Sequence, residues 1–435
     1  MIKDKVKIFA GWRQPPNMKK NEREKIVIVG AGPAGTSAAI RLAQNNFQVT
    51  LVEREKFPRP KLCGEFISPE CLAHFRELGV IDEMLSAGGE RIRKTVFYEP
   101  DGKSVAVPSE WFFQGGAGAL SLSRAEMDFR LLERAAAVGV EVLEETQALG
   151  LLTENEIVGG IKARDRSGEI KEISARLTID ATGRAGILRK LAERGISRRG
   201  GVKAQKRKGI WSLKSEASNY QRPKTKDRSP KLIGFKTHLK NAKIESGVCE
   251  IYFFRGGYGG LSRVENGFAN HCFLIESEIV KKAGGDAEKI VREVVFQNKR
   301  AEQMMKSAEA GFDWLAVSVD GFGAKDLNPA PRLLAIGDAG AFIDPFTGSG
   351  MLMALESGEL LARSVAENNF SPEKIAEIYK KRHAEKFRKR LFVCSLMRRA
   401  AFAPSLAKSL ISVLSRSEKA RAILARATRA AALGS

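Results

Sequence analysis

Three glycines in the run Gly30-Ala31-Gly32-Pro33-Ala34-Gly35 stand just after the apolar stretch KIVIV and just before TSAAIRLAQNN, whose apolar residues recur at helical spacing. Between a strand and a helix, that spacing makes a cradle for a diphosphate. Gly30 permits the tight turn, Gly32 lets the main chain approach the anion, and Gly35 lets the helix lie against the strand. Pro33 and Ala34 open the helix, whose N-terminal N–H groups attract negative charge. Glu53 ends the second strand, FQVTLVE, 23 positions after Gly30. A carboxylate there accepts hydrogen bonds from ribose hydroxyls, and Arg54 beside it is assigned to the same site. These residues form a dinucleotide fingerprint.

A second constellation of glycines and acids lies far along the chain. Ile336-Gly337-Asp338-Ala339 closes the buried stretch RLLAIGDAG, and Asp344-Pro345 then Gly348-Ser349-Gly350-Met351 lead into another helical run. A carboxylate at a strand end, here Asp338, suits the hydroxyls of a ribityl chain. The N–H groups from Gly348 to Met351 present the positive end of a helix, which favours the negative charge that reduced flavin develops near N1 and C2=O. The two constellations together point to FAD. Only one strand, glycine turn and helix unit is readable and FAD fills it, so the electron source binds in passing: NADH, NADPH or a ferredoxin-like protein.

The elements that must position these residues follow from the pattern of apolar runs. A βαβ unit opens the fold, a helix follows near 124–138, and then come the strand VEVLEE, a hairpin-like stretch at 157–177 and the strand LTIDATG. Strands dominate to about residue 320, with a helical interruption near 287–310, and helices run from the second constellation to the end with a break at Pro404. The expected fold is α/β: a Rossmann-like FAD-binding domain assembled from discontinuous segments, 25–95, 120–195 and 325–370, with an inserted β-rich substrate domain, 96–119 and 196–324. A C-terminal helical basic region occupies 371–435, and 1–24 is a polar, aperiodic leader.

Composition narrows the classes further. With 435 residues, 43% hydrophobic and 29% charged, the chain has ample core for a folded soluble protein. Its five cysteines, at 63, 71, 249, 272 and 394, show no CxxC and no histidine at ligand spacing, so no zinc site, other metal site or disulfide framework is expected, and a reducing cytoplasm fits. No run approaches the roughly 18 apolar residues that span a bilayer. The four histidines, 74, 238, 271 and 383, have no supporting triad pattern. The net charge of +22 is concentrated: residues 184–240 hold 18 basic and 3 acidic side chains, and 384–435 hold 12 and 2. Few aromatics interleave with them, which disfavours nucleic acid. In the tail Leu406, Leu410, Val413 and Leu414 recur at helical spacing beside Lys408, Arg416, Lys419 and Arg421, as on helices that lie on anionic membrane surfaces. A solvated helix packed on its own domain is the alternative there, and a charged surface loop accounts for 184–240.

Four stretches carry a resemblance: IVIVGAGPAGTSAAIRLAQNNFQVTLVERE, RPKLCGEFISP, LSRAEMDFRLLERAAAVGVEV with LTIDATGRAGILRK, and PRLLAIGDAGAFIDPFTGSGMLMALESGELLA. Across roughly residues 25 to 370 the chain resembles the FAD-dependent oxidoreductases of the geranylgeranyl reductase family, within the p-hydroxybenzoate hydroxylase-like fold group. The resemblance implies that Arg124 contacts the FAD, that Asp180 and Gly183 lie beside it, and that Asp338 binds its ribityl or pyrophosphate part. It also implies that Cys63 and Gly64 sit near the isoalloxazine ring. Asp180-Ala181-Thr182-Gly183 replaces the adjacent Asp-Gly of the hydroxylases, and the WxWxIP signature of flavin halogenases is absent. The stretch YFFRGGYGGLSRV is only loosely similar to the aromatic substrate motif of the reductases. Its Tyr252, Phe253, Phe254 and Tyr258 are candidates for lining a hydrophobic substrate pocket.

The expected activity is delivery of hydride from reduced flavin to a carbon-carbon double bond of a hydrophobic, prenyl-type substrate. Cys63, Tyr258 or water supplies the proton, and Gly64 allows close approach to the ring. A monooxygenase or halogenase acting through a C4a-hydroperoxide is the alternative, and a non-catalytic flavoprotein or basic surface-binding protein is a third reading.

Overall fold

The computed structural model describes residues 24–112, 118–199, 231–368, 370–401 and 416–427. At its centre lies a parallel sheet of five strands in the order Leu333–Ala335, Leu177–Asp180, Lys25–Val29, Gln48–Val52, Glu141–Leu143. The three middle strands are apolar nearly throughout because layers cover both faces of the sheet. On one face lie the helices Pro33–Gln44 and Gly350–Ala366, packed over Ile26, Ile28 and Ile179. Small residues let these helices meet closely: a side chain at Gly358 would come within 2.7 Å of Ala34's carbonyl oxygen, and Ser37 Oγ donates to Leu355 O at 3.0 Å.

The other face is covered by an antiparallel meander, Gln147–Glu154, Ile157–Arg164 and Ile170–Ser174, through Val27, Val29, Val52, Val158 and Ile161. The expected hairpin at 157–177 is thus the latter part of a three-strand unit. Its first strand was hidden because it is only half-buried and alternates weakly. The helix Arg124–Ala137 begins where expected, capped by Ser123 Oγ, which accepts from Glu126 N at 3.1 Å.

A larger mixed sheet of eight strands draws on two separated stretches of chain. Ser104–Pro108 and Lys94–Tyr98 form one edge as an antiparallel pair; Lys94–Tyr98 pairs in parallel with Val248–Phe254, and Gly257–Arg263, Ala269–Glu276 and Leu232–Lys240 follow, each antiparallel to the one before. Leu315–Val319 and Glu309–Ala310 pair with Leu232–Lys240. The helices Ala287–Glu293 and Lys299–Met305 bury Ile290, Met304 and Met305 against one face with Phe235 and Phe273. The opposite face packs Phe253, Tyr258 and Leu274 with Phe342 and Phe346, from the stretch that follows Leu333–Ala335.

The long helix Pro372–Ala401 packs back on Gly350–Ala366. Arg390 Nη1 lies 2.6 Å from Glu356 and Lys386 Nζ 3.2 Å from it, while Phe387 and Cys394 pack against Ile343 and Met353. The helix Glu418–Ala427 reaches the Ser109–Phe112 turn, with Arg421 over the Trp111 ring. The leader through residue 23, most of the basic run 184–240, Pro404 and the tail positions Leu406, Lys408, Leu410, Val413 and Leu414 lie outside the described residues. No described helix is long and apolar enough to cross a membrane.

Candidate functional site

The glycine turn and the aspartate loop leave the same end of the parallel sheet, since Val29 pairs with both Val52 and Asp180, and Asp180 with Ala335. Carboxyl ends of parallel strands are where ligands of such sheets bind. Gly30 has φ +107°, a conformation side chains rarely adopt, and a Cβ there would run into Ala181's carbonyl. A Cβ at Gly35 would overlap the carbonyl oxygen of Gly30. Gly32 differs: the nearest atom to a Cβ built there is Arg124 Nη2, at 3.9 Å. The protein therefore leaves room at Gly32 and none at Gly30 or Gly35. Gly337, at φ +56°, stands so near that its Cβ would lie 2.8 Å from that of Ala34, which sets Asp338 beside the start of the fingerprint helix.

Asp338 is half-buried, and its carboxylate accepts no hydrogen bond among the described residues. Burial pushes this carboxyl above its usual range, against the pull of Arg184, Lys325, Arg124 and Lys61. Lys325 Nζ donates to Asp338 O at 2.8 Å. Desolvation and the crowd of Arg124, Arg59, Arg54 and Arg184 hold Lys61 below its usual value. Four cations around one carboxylate make the cleft electropositive, as a diphosphate requires.

A buried ion-pair chain links Glu53, the acid at the end of the second strand, to Arg124. Glu53 Oε2 accepts from Ala31 N at 2.9 Å and lies 3.5 Å from Arg59, whose Nη1 is 3.2 Å from Asp128. Asp128 takes Arg124 in a two-pronged pair at 2.8 and 2.7 Å. Burial opposes the Arg124 charge, but Asp128, and then a contact with the Cys63 thiol, hold it firmly protonated. Glu53 and Arg124 thus meet the fingerprint turn from two sides. Arg54 does not join them: it is exposed, with Nε 3.0 Å from Glu55. Asp180 lies at the strand end, but both its oxygens serve its own loop, accepting from Thr182 N at 3.0 Å, Thr182 Oγ1 at 2.6 Å and Arg189 N at 3.1 Å. Gly183, in the turn that follows, opens onto space.

Cys63 and Gly64 lie on the turn that joins this network to the larger sheet. Gly64 has no neighbour within 4 Å of where a side chain would start. Cys63 Sγ accepts from Glu65 N at 3.4 Å, and Cys63 O from Asn270 Nδ2 at 3.3 Å. Glu65, Lys236, His238 and Asn270 were not anticipated. Alternation in Leu232–Lys240, with Phe235 and Leu239 on one face and Lys236 and His238 on the other, is the signal that marks these two polar side chains.

The same alternation divides the aromatic cluster. Tyr252 and Phe254 belong to the far core with Phe235 and Phe273, whereas Phe253 and Tyr258 face inward with Phe97, Leu274, Phe342 and Phe346. Tyr258 Oη donates to Asp344 Oδ1 at 2.9 Å, and burial followed by the Asp344 charge raises its phenol well above the usual value. A phenol so engaged is a poor proton source and a good anchor for the loop. Asp344 also accepts from Phe346 N at 2.8 Å, capping the turn Pro345–Thr347 that leads through Gly348 and Ser349 into the helix starting at Gly350 and Met351. Elsewhere His74, Glu77 and Glu359 cluster within 4.8 Å, but Arg41 donates to Glu77 at 2.8 Å and reaches His74 at 3.3 Å, so the group is tied up by a cation of the chain itself.

Residues 23–370 match the model of the FAD binding domain family. The chain belongs to that family. It is an FAD-dependent oxidoreductase, and its likeness to the geranylgeranyl reductases recurs among its relatives. It is 27% identical over 376 residues to a digeranylgeranylglycerophospholipid reductase of Methanosarcina acetivorans, covering 83% of this chain and 80% of that protein. A tryptophan 2-halogenase of Chondromyces crocatus is also 27% identical, over 78% of this chain and 60% of its own length. Among solved structures, a geranylgeranyl bacteriochlorophyll reductase-like protein of Thermoplasma acidophilum shares the fold, with a TM-score of 0.68 at 20% identity over 92% of this chain and 97% of that one. The residues of this FAD-binding domain fit their cofactor: there is space at Gly32, a ring of cations nearby, and a half-buried Asp338 carboxylate without a donor of its own.

Proposed function

We propose that the protein saturates carbon-carbon double bonds of a prenyl-type lipid. The observation that carries this reading is the apolar inner face of the larger sheet. Ile251, Phe253, Leu274 and Val317 line it with Phe346 from the loop after Asp338, and Leu62, next to Cys63, packs on it at Gly234. Such a wall suits a long hydrocarbon beside the Cys63-Gly64 turn. The reductase relatives, whose names specify a polyunsaturated prenyl lipid, support the same substrate class.

When bound, FAD supplies a two-electron carrier that takes up hydride and passes it on. The chain supplies the rest. Arg124, Lys61 and Lys325 neutralise the diphosphate, Glu53 and Asp338 take hydroxyls, and the apolar wall orients the alkene and excludes water. Hydride reaches one alkene carbon and a proton the other. With Tyr258 bound to Asp344, the Cys63 thiol is the proton donor this reading prefers. NADH, NADPH or a ferredoxin-like protein reloads the flavin from solution. The lipid is reached from an anionic membrane surface, a role supported by the exposed Phe392 and Leu396 beside Arg388 and Lys389 on one helix.

Monooxygenation or halogenation is the competing reading, favoured by the halogenase relative. Product analysis with and without air separates them. The reductase yields a product heavier by two hydrogens per double bond under strict anaerobiosis; product that appears only with oxygen would overturn it.

A further inference from the structure

Glu65 stands at φ +54°, a strained backbone for a residue with a side chain, and is fully buried. Its carboxylate accepts from three donors on separate parts of the chain: Arg124 N at 2.8 Å, Lys236 Nζ, and His238 Nε2 at 2.7 Å. Burial works against the charge, but the His238 hydrogen bond and the Lys236 charge outweigh it and hold the carboxyl below its usual range. Lys236 is itself buried, and its ammonium donates a second bond, to Lys61 O at 3.1 Å. The turn is thus pinned to the sheet at Lys61 O, at Cys63 O by Asn270 and at Glu65. The Glu65 N–H meanwhile points at Cys63 Sγ.

We infer that Glu65, clamped by Lys236 and His238, is a positioning residue that fixes the Cys63-Gly64 turn, and with it the thiol, at the reaction site. The arrangement is costly for mere adhesion, since an apolar contact would join turn and sheet without burying an ion pair. What the ion pair adds is direction. Three donors fix the carboxylate in space, and the next atoms along the main chain orient the sulfur. The inference rests on the flavin-enzyme reading only for what the turn faces.

The test uses the full-length, FAD-loaded protein, alkylated with iodoacetamide and read by peptide mass spectrometry at each cysteine. Glu65→Gln removes the charge, and Glu65→Gln with Lys236→Met removes both, so that no unpaired ion is left in the core. Cys71, Cys249 and Cys394 are buried and report global unfolding. The expected result for the double variant is alkylation of Cys63 faster by about tenfold, the scale of one lost charge-assisted hydrogen bond. The three buried cysteines stay protected and thermal stability remains near that of the parent. Cys63 reacting at the parental rate in the double variant, or only together with the buried cysteines, would overturn the inference. No substrate is involved, so a wrong choice of substrate leaves this result unaffected.

Discussion

Replacing Gly32 or Gly35 by alanine adds the same methyl group to the same turn, yet the two changes should act on different equilibria. At Gly35 the new Cβ overlaps the carbonyl oxygen of Gly30 and comes within 3.2 Å of Ala181 Cβ, both parts of the protein. Backbone cannot rotate away, so helix and strand must separate, an overpacking cost of about 1 to 3 kcal/mol in the folded protein without any ligand. At Gly32 the nearest atom is Arg124 Nη2, 3.9 Å away at the tip of a side chain, so the apoprotein should hold its stability. The methyl group meets only what lies on the ligand side. If that is the diphosphate, the same steric cost appears in binding, where about 2 kcal/mol is roughly a 30-fold loss of affinity. The assay is a thermal melt of each apoprotein with an FAD titration followed by flavin fluorescence. Gly32→Ala with parental affinity, or with a melt lowered as far as that of Gly35→Ala, would refute the placement of the diphosphate.

Asp338→Asn should weaken FAD retention on dialysis about tenfold, the scale of one hydrogen bond to a charged group, while the apo melt stays level; full retention would remove Asp338 from the site. Burial pushes His383, packed between Tyr379 and Phe387, down to about 4. The unfolded chain therefore binds its proton first as pH falls below about 6.5, and stability drains away between there and about 4, by about 3 kcal/mol. His383→Phe should flatten that part of the curve in urea melts at stepped pH, and an unchanged slope would count against it. Deleting 404–435 should reduce co-sedimentation with anionic liposomes and leave neutral ones unaffected; equal pelleting of both forms would defeat membrane docking through the tail.

What the sequence made legible were the local units. Strand, glycine turn and helix are contiguous from Lys25 to Gln44, so the spacing of Gly30, Gly32 and Gly35 carries its own context. The meeting of that turn with Asp338 was expected from paired chemistry, and Gly337 standing against Ala34 is its physical counterpart. The Glu65 clamp was not legible, because Lys236 and His238 lie 171 and 173 positions away and only sheet pairing brings them to the turn. Asp180 shows a different limit. Its type and place suited a ligand contact, but a carboxylate also stabilises a tight loop, and local N–H donors reach it at no cost in chain entropy. In the aromatic cluster, residues adjacent in sequence sit on opposite faces of a strand, so Tyr252 and Phe254 could not share a pocket with Phe253.

The most direct test of the proposed reaction is a single turnover of photoreduced, FAD-loaded enzyme mixed without oxygen with a digeranylgeranyl glycerophospholipid in mixed micelles. The proposed reaction predicts return of the oxidised flavin spectrum at a rate that rises with lipid, with one double bond saturated per flavin. A flavin that stays reduced until air is admitted, with the lipid unchanged in mass, would contradict it.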